Sequence, residues 1–80
     1  MKADHLIEMA NQIGEFFESL PDREEALQGI AEHIRRFWEP RMRRTLLEAL
    51  DGGEAMGFSA IVFAALTKYR DSLIPAAAAA

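Results

Sequence analysis

Breakers at Pro21, Pro40, Gly52-Gly53 and Pro75 divide this chain into stretches that each have room for one helix of ordinary length and not for two. A proline inside a helix loses a hydrogen bond and clashes with the preceding turn, and it pushes the residue before it out of the helical region. Between the breakers, apolar residues recur at spacings of three and four, the period of a helix with one buried stripe. The expected fold is therefore all-α, a small bundle of three to four short helices with an antiparallel helical hairpin at the N-terminus. Residues 1–75 are read as a single helical domain, and the poly-alanine tail at 76–80 is set aside.

In the first stretch the stripe is Leu6, Met9, Ala10, Ile13, Phe16, Phe17 and Leu20, with Asp4 as the N-cap. Gly14 falls at its edge, near Ala3 and Ala10 on a helical projection. A mid-helix glycine costs roughly 1 kcal/mol against alanine, so Gly14 is either a point of close helix approach or a glycine without a role. Asp22 and Glu25 have the spacing of a capping box for the second helix, whose core face is Ala26, Leu27, Ile30, Ile34, Phe37 and Trp38. Pro40 suits the first position of a third helix. Met42, Leu46, Leu47, Ala49 and Leu50 face inward there, and glycine after Asp51 is available for a left-handed C-terminal position. Ser59 is the expected N-cap of a fourth helix running to about Ser72, with Phe58 and Phe63 spaced as a hydrophobic staple.

A chain of 80 residues buries only about 60 % of its unfolded surface. There is no cysteine, and His5 and His33 are its two histidines, so neither a disulfide framework nor a metal cluster is expected to staple the thin core. A partner is a natural source of the missing stability. Met1 to His5 run directly into the first amphipathic stretch without the apolar core of a secretory signal. The longest apolar run, Ala60 to Leu66, is far short of the ~20 residues that cross a bilayer. A soluble, cytoplasmic protein is expected.

The formal net charge is -4, but it is unevenly spread: residues 1–32 hold eight of the 13 acids, while residues 35–44 hold five of the nine bases and only Glu39 as an acid. Those five are Arg35, Arg36, Arg41, Arg43 and Arg44, and they surround the only tryptophan, Trp38. Arg41, Arg43 and Arg44 fall in the first turn of the third helix, where the macrodipole disfavours cations by about 0.3–1 kcal/mol each. A broken local rule of this kind points to function, since Trp and Arg are the residues most enriched at interface hot spots. The bland account is that Glu39 and the acids of the first helix neutralise these arginines, or that water does. Gly29 projects on the polar side of the second helix beside His33, where it either admits a partner's backbone or has no role. The expected partner-binding set is therefore Gly29, His33, Arg35, Arg36, Trp38, Arg41, Arg43 and Arg44.

Catalytic residues are not expected. Ser19, Thr45, Ser59, Thr67 and Ser72 fall at caps or helix surfaces with neither histidine near in sequence, so no nucleophile has its base. Gly52-Gly53 lacks the lysine-hydroxyl pair of a phosphate loop, and His33 lacks the second histidine of a helical zinc site.

Two blocks, Met9-Ala10-Asn11-Gln12-Ile13-Gly14 with Phe16-Phe17-Glu18, and Gly29-Ile30-Ala31 with His33-Ile34 and Phe37-Trp38-Glu39-Pro40-Arg41-Met42-Arg43, resemble the delta subunit of cytoplasmic NAD-dependent formate dehydrogenase. The resemblance covers roughly residues 3–66. A weaker final block is matched by Phe58-Ser59-Ala60-Ile61-Val62, with Ala60 where the family is expected to have proline. The resemblance implies a non-catalytic accessory subunit that docks on the catalytic alpha subunit, within a complex that also contains beta and gamma subunits. It implies roles in assembly, stability and retention of the molybdenum cofactor. It places no cofactor in this chain; the partner complex is expected to carry bis-molybdopterin guanine dinucleotide with molybdenum or tungsten, iron–sulfur clusters, FMN and NAD. The competing expectations are a nucleic-acid-binding module that uses the block from Arg35 to Arg44, and a transient cofactor-insertion chaperone.

Overall fold

The computed structural model describes residues 2–75, and the alanine tail lies outside the described residues. Five helices and one 3₁₀ turn follow in order: α1 (Ala3–Glu18), α2 (Arg23–Phe37), α3 (Pro40–Asp51), the turn Ala55–Gly57, α4 (Ala60–Lys68) and α5 (Arg70–Leu73). The first two helices form the expected hairpin. Phe17 lies over Gly29 and Ile13 shares a pocket with His33, so contacts move back along α1 as they move forward along α2, the signature of an antiparallel pair.

The apolar α4 lies at the centre and packs on both arms of the hairpin. Its Val62, Ala65 and Leu66 are completely buried, as are Ala10 and Ile30 facing them in the core. Small residues on α1 set the depth of this approach: a Cβ on Gly14 would stand 2.5 Å from Val62 Cγ2 and 3.2 Å from Ile61 Cγ2. Gly14 is thus a point of close helix approach. Asn11, one turn earlier on α1, secures the same junction through its amide. Its Nδ2 donates to Gly57 O at 3.0 Å and its Oδ1 accepts from Ser59 N at 2.9 Å, which fixes the chain where it enters α4.

Several local expectations are corrected. Helix α1 starts at Ala3 with Lys2 as its uncapped N-cap residue, so Asp4 lies in the first turn, where its charge still suits the dipole. The α1 stripe turns toward Leu6, Ile7, Ala10 and Gly14, and Phe16 is 72 % exposed. Gly52 leaves α3 in an extended conformation, φ -96° and ψ -154°, so the glycines do not use the left-handed region. Ser59 holds the N-cap position of α4 without a side-chain cap. Phe63, 44 % exposed, stays outside the core that takes Phe58, and Asn11 does the work assigned to the staple. The fourth helix breaks at Tyr69 before the short α5. The cap at Asp22 is formed, its Oδ1 accepting from the amides of Glu24 at 2.9 Å and Glu25 at 3.3 Å.

Glu24, in the first turn of α2, reaches across to the end of α4. It accepts from Lys68 Nζ and from the Tyr69 hydroxyl. These two hydrogen bonds hold its carboxyl below the ordinary value. The Glu24 carboxylate in turn holds both the Lys68 ammonium and the Tyr69 phenol above theirs. A lowered acid contributes stability above its unfolded pKa and loses it as pH falls through the folded one; a raised lysine or tyrosine contributes below its unfolded pKa and loses it as pH rises. The tie is therefore complete between about pH 5 and pH 9.

Two predictions follow from this packing. Gly14→Val is expected to destabilise the fold by about 2 kcal/mol through overpacking against a buried β-branched side chain, whereas Gly29→Ala, facing the half-exposed Phe17 ring, stays within about 1 kcal/mol of the wild type; urea unfolding of both checks this. Glu24→Gln should melt below the wild type near neutrality, and the gap should narrow below about pH 4 and above about pH 11; a gap unchanged across that range would remove the tie.

Candidate partner-docking surface

The corner between α2 and α3 is built by Pro40. Trp38 (φ -93°, ψ 137°) and Glu39 (φ -65°, ψ 154°) are extended, as steric conflict with a following proline requires of Glu39. Pro40 then opens α3 as its first residue. The Trp38 amide still donates to Ile34 O at 3.0 Å, and the indole turns inward, leaving only 6 % of the residue exposed. Trp38 accordingly belongs to the core face and does not present its ring to a partner. Phe37, expected in the core, is 72 % exposed instead.

The arginines divide by what they touch. Arg35 pairs with Glu32 at 2.7 Å on the same helix. That hydrogen bond, with added attraction from Arg36, lowers the Glu32 carboxyl below its ordinary value. Arg43 extends back over the corner and its Nη1 donates to Arg35 O at 3.3 Å. Arg35 O is one of the last carbonyls of α2, which have no partner within the helix. A residue badly placed for its own helix dipole thus serves the end of the preceding helix. Arg36, Arg41 and Arg44 are exposed, and among the described residues no carboxylate pairs with them. Neither Glu39 nor the acids of α1 neutralise the block.

Gly29 is occupied from within, because a Cβ there would fall 2.5 Å from Phe17 Cε1 and 2.7 Å from Cδ1. The close approach that this glycine permits is made by the chain's own Phe17. His33 is half-buried, and its ring lies 4.9 Å from that of Phe37, tilted by 44°. The structure also brings together a feature that periodicity concealed. Ile13, Phe16, Phe17 and His33 line a shallow apolar cavity of about 290 Å³ between α1 and α2, continued by Phe37 beside His33. Phe16 and Phe37 fit the helical spacing of core residues; the places of Phe16 at the outer edge of its stripe and of Phe37 as the last residue of α2 are the local signals of exposure.

A larger open cavity of about 430 Å³ is lined by Asp4, Ile7, Glu8, Asn11, Glu54 and Gly57. Among the described residues, no group of three His, Asp or Glu side chains is placed to hold a metal ion. No helix among them is long and apolar enough to cross a membrane.

These elements define a class: a small all-α protein whose distinctive surface combines an aromatic groove with three arginines that form no ion pair among the described residues. The family model of the NADH-dependent formate dehydrogenase delta subunit FdsD matches residues 5–66, more than three quarters of the chain, and the protein belongs to that family. No match was found among curated proteins or among solved structures.

The division of the corner into internal and external residues predicts opposite outcomes for stability. Trp38→Ala should cost about 3–5 kcal/mol through the cavity left in the core, while Arg36→Ala should change stability by no more than about 0.5 kcal/mol, both measured by chemical unfolding.

Proposed function

We propose that this protein is a non-catalytic accessory subunit of an NAD-dependent formate dehydrogenase of the cytoplasm, docking on the catalytic alpha subunit and supporting assembly and stability of the complex. The observation that carries this reading, beside the family, is that Arg36, Arg41 and Arg44 stand exposed at one corner and none of them forms an ion pair among the described residues. Of these cations Arg41 occupies the first turn of α3, against its macrodipole, with Arg44 one turn on, and an acidic partner surface would relieve that conflict. Arg35 and Arg43 hold the corner in shape, Trp38 anchors it from inside, and His33 and Gly29 belong to the adjoining groove. Retention of a molybdenum or tungsten cofactor is a role of the assembled complex on this reading. The redox groups, including the pterin, iron–sulfur clusters and FMN, are assigned to the other subunits.

Nucleic-acid binding by the same block is weaker, since the internal contacts of Arg35 and Arg43 leave only part of it for phosphates. A purely transient chaperone would leave the finished enzyme.

Charge reversal separates docking from folding. Arg41→Glu with Arg44→Glu places an acid in the first turn of α3 at position 41, which favours the helix by about 0.3–1 kcal/mol, and a second acid on the exposed turn that follows. The double variant should melt at or above the wild-type temperature and yet fail to co-purify with the catalytic subunit; undiminished co-purification would refute the docking assignment.

A further inference from the structure

We propose that the groove between α1 and α2 receives an apolar helix of the subunit on which this chain docks, one that carries a carboxylate positioned for Arg36. This inference rests on the docking reading above. The groove walls are Ile13, Phe16 and Phe17 on one side and His33 and Phe37 on the other. Phe16 and Phe37 are each 72 % exposed, on adjacent helices. Aromatic rings fixed on helices lose little conformational freedom on burial, and a groove between two antiparallel helices suits the apolar face of a third.

Charge identifies the occupant. Arg36 follows His33 by three positions on α2, so its side chain stands at the edge of the groove one turn on. It is exposed and unpaired among the described residues. Through Arg36 and Phe37 the apolar groove is continuous with the corner that carries Arg41 and Arg44. A stable contact covers about 800 Å² on each partner, far more than these few side chains offer, out of a total surface of 5099 Å². A partner of adequate size therefore extends from the groove across the arginine corner. A second copy of this chain is disfavoured, because a two-fold interface sets the same surface against itself and would bring the cationic corners into one contact. A heterologous helix with aliphatic or aromatic side chains toward the groove and an Asp or Glu toward Arg36 meets both demands.

The test uses the chain co-expressed with the other formate dehydrogenase subunits, with a photo-crosslinking phenylalanine analogue at position 16 or 37. The expected crosslinks join this chain to an apolar helix of the catalytic subunit, with an acidic residue within one turn of the site. Phe16→Ala with Phe37→Ala should weaken association roughly 30-fold, as for interface anchors, with the melting temperature of the free chain unchanged. Crosslinks to a second copy of the chain, or wild-type association of the double phenylalanine variant, would overturn the groove proposal. If the arginine variant dissociates while the phenylalanine variant holds, docking stands and the groove falls. If the wild-type chain does not associate at all, the docking reading itself fails.

Discussion

The bundle closes because α1 presents Ala10 and Gly14 to α4, with no larger side chain in the way of Val62. An α-helix that is apolar nearly all round must be covered on several sides, and α4 meets that requirement only by sinking between α1 and α2. Asn11 then satisfies one backbone acceptor and one donor of the chain entering α4, which fixes that junction at the edge of the core. At the far end, Glu24 joins the start of α2 to the end of α4. The depth of α4 therefore governs how the whole hairpin is held.

The Pro40 corner shows how one set of like charges can serve two purposes. Arg43 satisfies a carbonyl at the end of α2, and Arg35 is paired along its own helix. Their geometry is set by this chain alone. Arg36, Arg41 and Arg44 make no such contacts among the described residues and stand exposed at a corner whose Trp38 is buried in the core. Exposed arginines contribute little to stability by themselves, so their concentration here has no account within the fold. The chain belongs to a formate dehydrogenase delta-subunit family, and the docking proposed above would give these charges a purpose.

Much of this was legible from spacing alone. Prolines and the glycine pair mark where helices end, since both act through local backbone chemistry, and Pro40 and Asp22 occupy the positions their chemistry favours. Gly14 was also legible as a site of approach, though not what approaches it. Periodicity failed where it depends on neighbours distant in sequence. Phe16 and Phe37 keep the spacing of core residues, but no other helix arrives to cover them. Nothing local marks the role of Asn11, because its two partners lie 46 and 48 positions away. The arginines were recognisable as a block, but their separation into inward and outward members depends on the angle of the corner, which local sequence does not encode.

The position of Val62 against Gly14 also bears on the order in which the protein can be completed during synthesis. The α1–α2 hairpin leaves the ribosome before α4, with the groove made by Ala10 and Gly14 empty on its inner side until the residues that fill it have been translated. Domains fold as units, so the nascent hairpin must wait, with a bare interior face, until α4 has emerged. Helix α1 is thus made before α4 but completed only with it.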